Sequence, residues 1–372
     1  MAVSIKEGSI AAEIADGVFY NPNMEFSRDI SSLAISSIPE KLIVCDGMSA
    51  SGVRGIRYAK ENDNVERVVF VDMDKKAIEN VNENIKTNKI EANSRVVEDD
   101  LNHFLYRGGE RFNFVEVDPF GSPVPFIRSA LLNLRASKSG YLSVTATDTA
   151  VLCGANSKAC QIYYNSKPFH NSFCHESGIR ILLSHIVRIA SPLKLGIEPI
   201  VSLSKQHYMK VIVKVRKDAK HAFETIKKLG YASYCPQCFT IKTSTNPYLE
   251  KKCSACGHQT EWGGPTWLSN LHNSENLDKM LAENKNREYS NRLELSKTIQ
   301  LMQYEDEFPP FYYDIHALVD KIKISPPKFD TVIDELMSKG YKVGRTHFSV
   351  TAIKTDAPAT EVVAAIKGAG KV

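Results

Sequence analysis

Short apolar runs that end in acids recur along the first half of the chain. Leu42-Ile43-Val44-Cys45 stops at Asp46-Gly47, and Val68-Val69-Phe70-Val71 stops at Asp72. Val96-Val97 runs into Glu98-Asp99-Asp100, Phe114-Val115-Glu116-Val117 into Asp118-Pro119, and Tyr141-Leu142-Ser143-Val144 into Thr145-Ala146-Thr147-Asp148. Between them lie polar stretches with helical spacing, such as Lys75–Lys86 with Ala77, Ile78, Val81 and Ile85. Short apolar strands alternating with helices predict an α/β fold whose parallel sheet is covered on both faces. Ser177–Leu195 carries Ile179, Leu182, Leu183, Ile186, Val187 and Ala190, the pattern of an amphipathic helix. The rhythm then changes. Pro199–Leu203 and Tyr208–Val215 read as adjacent strands with no helix between them, and Met209, Val211, Val213 and Val215 alternate with Lys210, Ile212, Lys214 and Arg216. That is a hairpin closing the sheet edge.

The α/β rhythm stops near Gly230–Tyr234, so residues 1–230 are read as one domain and 231–372 as a second. The second contains a polar helical stretch from about Asn276 to Gln303. Ile315, Leu318, Val319 and Ile322 then fit a helix, as do Phe329, Val332, Ile333 and Leu336 after Ser325-Pro326-Pro327. Tyr341–Lys354 reads as two strands with a turn at Gly344. Two short helices followed by a hairpin outline a winged helix; a plain helical subdomain is the alternative.

Composition narrows the function classes. The chain has 372 residues and a net charge of +4, which excludes a histone-like polycation but not a local basic face. No apolar run approaches a membrane span, and the N-terminus lacks the apolar core of a signal peptide. A cytoplasmic protein is therefore expected. In that reducing compartment the eight cysteines point to metal or redox chemistry rather than a disulfide framework.

The strand ends carry the candidate chemistry. Asp46-Gly47-Met48-Ser49-Ala50-Ser51-Gly52 places a turn of small residues between a strand and a helix, a backbone cradle for a ligand. Within it Asp46, Gly47, Ser49 and Gly52 are the candidate ligand-binding positions. Asp72, 20 residues beyond Gly52, stands where an acid binds ribose hydroxyls in dinucleotide folds. Asp100 ends a third strand. The pattern is not G-x-G-x-x-G, and the turn has no lysine, so it is not a phosphate loop. Three acidic strand ends repel a phosphate-rich cofactor and suit a cationic one with a ribose and a base, which describes S-adenosylmethionine. The fourth strand ends in Asp118-Pro119-Phe120-Gly121. A carboxylate and a backbone carbonyl can accept the two N–H bonds of an exocyclic base amine, drawing its lone pair out of the ring, while an aromatic ring stacks on the base. A simple turn is the plainer reading of the same residues.

Cys235-Pro236-Gln237-Cys238 and Cys253-Ser254-Ala255-Cys256 form paired C-x2-C knuckles that place four thiolates around a structural zinc. Cys45, Cys153, Cys160 and Cys174 read as buried small hydrophobes. His175 and Glu176 start the long helix, facing either the site or the helix dipole. Tyr163-Tyr164 and Phe169-His170 offer either a base-stacking wall or local core. Eight bases against two acids between Lys205 and Lys228, and Lys339, Lys342, Arg345 and Lys354 further on, are candidate RNA-backbone faces.

Taken together, several stretches resemble one family over nearly the whole chain. They are Val18-Phe19-Tyr20-Asn21-Pro22 with Arg28-Asp29, Asp46 to Gly55, Asp118 to Pro123, Thr145 to Asp148 with Leu152-Cys153-Gly154, Cys174-His175-Glu176, and Arg345 to Ser349 with Ile353-Lys354-Thr355. The sequence resembles the archaeal-type tRNA (guanine-26, N2)-dimethyltransferases. The resemblance implies a class I, Rossmann-like methyltransferase sheet followed by a C-terminal domain peculiar to the family, S-adenosylmethionine as donor and tRNA as substrate. It further implies donor binding by Phe19, Arg28, Asp72 and Asp100, with Arg28 paired to the donor carboxylate, and catalysis by Asp118. Met48 and Ala50 stand where the usual class I turn has glycine. One or two methyl transfers rest on the resemblance alone. A monomer is expected. The alternatives are a methyltransferase for another exocyclic amine, such as adenine N6, and a non-catalytic zinc and winged-helix nucleic-acid-binding protein.

Overall fold

The structure, a computed structural model, describes residues 2–134, 139–247 and 250–370. The chain opens with a hairpin, β1 (Val3–Glu7) and β2 (Ile10–Ile14), and helix α1 (Glu25–Ser36). Then come β3 (Leu42–Gly47), α2 (Val53–Glu61), β4 (Val65–Asp72), α3 (Lys75–Asn88), β5 (Ser94–Glu98), α4 (Leu101–Arg107), β6 (Phe114–Val117), α5 (Val124–Leu134) and β7 (Ser139–Ala146). Two short helices, α6 (Thr149–Leu152) and α7 (Ser157–Tyr163), lead to α8 (Cys174–Ala190), and β8 (Leu195–Lys205) and β9 (Tyr208–Lys217) complete the sheet. Among the described residues the sheet has seven strands in the order β5-β4-β3-β6-β7-β9-β8. The first five are parallel, and β9 runs antiparallel to both neighbours. The chain builds outward from β3 to β5, then resumes on the other side at β6, so the crevice between β3 and β6 is the topological switch point where open α/β sheets bind ligands.

Strand alternation divides the core. Cys45, Val69, Val71 and Val115 pack under the helices of one face, and Val44, Val68, Phe70 and Phe114 under those of the other. The alternation in β9 has a different meaning from a wet edge. Lys210 is 1% exposed, and Ile212 is buried among the second set. The strand lies inside the sheet, so Lys210 is no part of a basic surface. Helix α1 carries Phe26, Ile30, Leu33 and Ala34 at helical spacing, and its polar positions Ser27, Arg28, Asp29, Ser31 and Ser32 are buried as well.

The turn between β3 and α2 keeps the glycine-type backbone without the glycines. Met48 (φ 58°), Ala50 (φ 46°) and Gly52 (φ 74°) all lie in the left-handed region. Ser49 N–H donates to Val71 O (3.1 Å), Ala50 N–H to Asp72 Oδ2 (2.8 Å) and Gly52 N–H to Ser49 O (2.8 Å). These bonds over-determine a conformation that costs a non-glycine residue about 1–2 kcal/mol. At Gly47 a Cβ would lie 2.6 Å from the Leu101 side chain and 2.9 Å from the Glu116 carbonyl, so only glycine fits.

The sequence boundary at Gly230–Tyr234 is itself a strand. After α9 (Ala219–Ile226), β10 (Leu229–Tyr234) pairs antiparallel with β11 (Ile241–Ser244) and β12 (Glu261–Trp267). The polar helical stretch is two helices, α10 (Ser274–Asn284) and α11 (Arg292–Glu305). The end runs β13 (Tyr313–Asp314), α12 (Ile315–Ile322), α13 (Phe329–Ser338), β14 (Val343–Arg345), β15 (Ala352–Thr355) and α14 (Ala359–Ala369). With α11 in front and the sheet order β13-β15-β14, this is the helix, strand, two-helix and hairpin sequence of a winged helix. Gly344 pairs with Lys354 inside the hairpin instead of forming its turn.

Buried charge joins this end to the sheet. Glu176 of α8 accepts Arg180 Nε (2.9 Å), Lys354 Nζ (2.7 Å) and the Phe311 backbone N–H (2.8 Å). Burial raises its carboxyl, but Lys354 and Arg180 outweigh that and hold it below the ordinary range. Glu176 is thus neither a site residue nor a helix cap, and Lys354, 1% exposed, belongs to no RNA-facing surface.

Two changes test these readings. Ala50→Gly should raise stability by roughly 0.5–1 kcal/mol, the relieved backbone strain less the added freedom of the unfolded chain. A lower urea midpoint would show that the turn is unstrained. Lys354→Met strands part of the Glu176 charge and should cost about 3–5 kcal/mol. A midpoint within about 0.5 kcal/mol of the parent, the usual range for a surface substitution, would mean that Arg180 alone neutralises it.

Candidate functional site

A cavity of about 560 Å³ opens at the carboxyl ends of β3, β4 and β6, at the switch point. That size suits a drug-sized ligand. Its wall brings together Phe19, Arg28, Asp72, Asp118, Pro119 and Phe120. These come from a loop before α1, from α1 and from two strand ends. Met48 and Ala50 of the strained turn also line it.

The remaining candidates lie outside the wall. Asp46 is buried, and its Oδ2 accepts the Gly55 N–H (3.0 Å), fastening the start of α2. Burial, aided by Glu116 and Asp118 and opposed by Arg54, pushes its carboxyl up to about 8. It is a structural group, and of the first three strand-end acids only Asp72 lines the cavity. Gly47, Ser49 and Gly52 shape the turn from beneath. Asp100 accepts the His103 N–H (2.9 Å) as the cap of α4 and does not line the cavity.

Two buried ion clusters flank the cavity. On one side Arg54 of α2 binds Asp118 Oδ2 and lies 4.0 Å from Glu116. Glu116, fully buried in β6, accepts Lys210 Nζ (2.7 Å) and the Tyr58 hydroxyl (2.8 Å). Burial raises its carboxyl, and Lys210 and Arg54 bring it below the ordinary range. On the other side Arg28 forms a bidentate pair with Glu7 (2.6 and 2.5 Å) and donates to Asn21 O from both terminal nitrogens (3.2 Å each). Arg57 bridges Glu7 (2.8 Å), Asp29 (2.7 Å) and Glu61 (2.8 Å). Against the burial penalty, Arg28 and Arg57 push the Glu7 carboxyl down to about 2. Glu7 had no local signal, since its role comes from a hairpin that packs on α3 and α2 and reaches Arg28 of α1.

At the mouth the rings of Phe19 and Phe120 meet edge to face at 4.5 Å, and Phe120 is 77% exposed. Thr147 Oγ1 accepts the Gly121 N–H (2.7 Å) and so ties the Asp118–Gly121 turn to the end of β7. Gln206 and His207, the turn of the β8–β9 hairpin, and Tyr208 at the start of β9 complete the wall. The hairpin was legible in the sequence, but its reach over β6 was not. Of the proposed stacking wall, Tyr164 and Phe169 are core residues, and neither lines the cavity.

The four knuckle cysteines converge. Cys235 and Cys256 sulfurs lie 3.5 Å apart, as do those of Cys238 and Cys253. A tetrahedral zinc with 2.3 Å bonds has sulfur–sulfur edges of about 3.8 Å, so the set fits that ion. Cys45 and Cys160 are buried as expected, whereas Cys153 and Cys174 are half-buried beside His175. A third group, His272, Glu305 and His347, is a hydrogen-bonded clasp. Each imidazole accepts a backbone N–H from β8, Ser202 to His272 Nδ1 (3.3 Å) and Ser204 to His347 Nε2 (3.4 Å). The other nitrogens face Glu305, His347 Nδ1 at 2.8 Å from Oε1 and His272 Nε2 at 3.5 Å from Oε2.

The chain matches the family model described as N2,N2-dimethylguanosine tRNA methyltransferase over residues 2–367. It is 35% identical to the tRNA (guanine(26)-N(2))-dimethyltransferase of Methanobrevibacter smithii, with 94% of this chain and 91% of that protein covered. Against the Pyrococcus furiosus protein of the same name the identity is 37%, with 92% and 90% covered. The structure of Trm1 from Pyrococcus horikoshii with S-adenosyl-L-methionine superposes with a TM-score of 0.87 at 33% identity, covering 98% of this chain and 99% of that one. The chain therefore belongs to the N2,N2-dimethylguanosine tRNA methyltransferase family.

Proposed function

We propose that this chain transfers methyl groups from S-adenosylmethionine to the exocyclic N2 of guanosine 26 in tRNA, once or twice per nucleoside. The observation that carries the reading is that an amine-accepting trio, Asp118, Pro119 and Phe120, shares one cavity at the switch point with Asp72 and Arg28. The cavity fits the donor. Asp72 stands at the ribose position, the β3–α2 turn lets a ligand approach the main chain, and Arg28 has four of its five N–H groups engaged, with one left for a carboxylate. When bound, S-adenosylmethionine supplies an electrophilic methyl on a sulfonium.

The chain's own residues do the rest. Arg54 engages Asp118 Oδ2 and fixes the carboxylate plane, so we assign Oδ1 to the guanine amine. The Pro119 carbonyl accepts the second N–H. With both hydrogens held, the nitrogen lone pair turns out of conjugation, and Asp118 Oδ1 takes the proton that leaves as the new N–C bond forms. Phe120, exposed at the mouth, stacks on the extruded base. Residues 231–372 hold the tRNA, with one zinc fastening the Cys235, Cys238, Cys253 and Cys256 knuckle. We infer that the chain acts as a monomer, and its tRNA substrate supports a cytoplasmic enzyme. Among the described residues no helix is long and apolar enough to cross a membrane.

Incubation with labelled donor and unmodified tRNA, followed by nucleoside analysis, tests the reading. Label should appear as N2-methylated guanosine and vanish with transcripts lacking guanosine 26. Label in methylated adenosine would favour the adenine-amine alternative. Asp118→Ala should lose at least about a hundredfold in single-turnover rate with donor affinity near the parent value, because the carboxylate acts on the transition state. Near-normal turnover would make the Asp118–Gly121 turn structural. Freshly purified protein should carry about one zinc per chain, as a closed four-cysteine site predicts. Cys253→Ser should lower metal content and unfolding temperature while sparing donor affinity, and metal-free parent protein would exclude the zinc.

A further inference from the structure

The cavity wall holds a polar atom with no partner. Tyr208 is 2% exposed, and its hydroxyl is buried without a hydrogen bond. Its ring packs with the core of the α1 face, a task that phenylalanine would perform equally well. A buried hydroxyl left unpaired among the described residues destabilises a fold, so it is open to a partner from outside the chain. Members of both ion clusters bear on it electrostatically, Arg54 and Asp118 from one and Asp29 and Arg28 from the other. Tyr208 lines the same cavity as Arg28 and Asp118, whose mouth Phe19 and Phe120 mark.

Depth decides which ligand it meets. A base that stacks on Phe120 enters at the mouth. A donor whose ribose lies at Asp72, and whose methyl must face an amine held at Asp118, has its amino-acid end left for the floor between Arg28 and Asp118. We propose that the Tyr208 hydroxyl is a positioning group for the methyl donor, hydrogen-bonding the aminocarboxylate end and so aiming the sulfonium at the amine. The proposal rests on the donor assignment above. It gives the β8–β9 hairpin a function: a two-residue turn, Gln206-His207, brings the start of β9 under the cavity.

Tyr208→Phe removes only the oxygen. Titration calorimetry of the full chain should show S-adenosylmethionine binding weakened about tenfold or more, the effect of losing a hydrogen bond to a charged group. Without donor, the unfolding midpoint should be unchanged or higher. 5′-Methylthioadenosine, which lacks the aminocarboxylate, should bind parent and variant equally, and that equality also shows that the variant is folded. Equal donor affinity in parent and variant overturns the inference. So does an equal loss for methylthioadenosine, which would put the hydroxyl at the nucleoside. Normal donor binding with lost tRNA methylation would assign it to the base and overturn it as well. If the parent chain binds no donor at all, the functional reading fails instead.

Discussion

The site depends on a carboxylate that should not be where it is. Glu116 lies in the middle of the central strand β6 with no exposure, two residues before Asp118. An isolated buried anion there would be prohibitive, and it persists because Lys210 from β9 and Arg54 from α2 converge on it. That requirement fixes the neighbours. Lys210 must sit inside the sheet, so β9 must insert between β7 and β8 instead of lying at the edge. Arg54 must approach from the first turn of α2, which places the same guanidinium against Asp118. Two cations, Arg54 and Lys210, balance two anions, Glu116 and Asp118, while burial pushes the nearby Asp46 carboxyl up. Glu116 does not line the cavity, yet through Arg54 it sets the position of Asp118, which does.

The Arg28 side of the cavity uses the same device with different chain segments. Arg28 and Arg57 share Glu7, and Arg57 adds Asp29 and Glu61. The Tyr289 hydroxyl donates to Glu61 Oε2 (2.6 Å), and Asn291 reaches Asp29 (3.1 Å). The N-terminal hairpin, two helices and the segment before α11 therefore meet at one charged knot. Arg28 is held rigid by contacts that it does not need for binding, which pre-organises whatever it presents to a ligand.

Most of the fold was legible because each parallel strand is short, apolar and ended by a polar residue. The strand-end acids were legible as well, but not their division of labour. Asp72 and Asp118 reach the cavity, whereas Asp46 and Asp100 spend their carboxylates on helix starts. The sequence cannot separate these uses, since a cap and a ligand want the same residue type at the same place. Glu7, Arg54 and Tyr208 were invisible for another reason. Their roles exist only across long separations, as the Glu7–Arg57 and Arg54–Asp118 pairs show. The turn at Met48 and Ala50 was legible as a departure from glycine, but the backbone makes no concession to it.

The apolar core gives the last step. Trp267, Phe311, Val332 and Ile353 belong to the same contiguous cluster as Val115 and Leu142 of the sheet. Arg180 of α8 donates to the carbonyls of Trp267 (3.0 Å) and Ser269 (2.9 Å), and the Glu305 clasp grips β8 two and four residues past its midpoint, at Ser202 and Ser204. A chain cut at residue 230 would expose the α8 surface that β12 covers and leave Glu176 and Arg180 short of partners. Removing the second half would therefore damage the first, and loss of methylation in such a fragment would say nothing about tRNA binding. Binding and chemistry are separable only by exposed substitutions. The same continuity has a functional consequence. On the proposal that residues 231–372 hold the tRNA, the grip shares one core with β6, so the span between grip and cavity is fixed by the fold. A rigid span is one way for an enzyme to reach the same nucleoside in each tRNA without reading the bases around it.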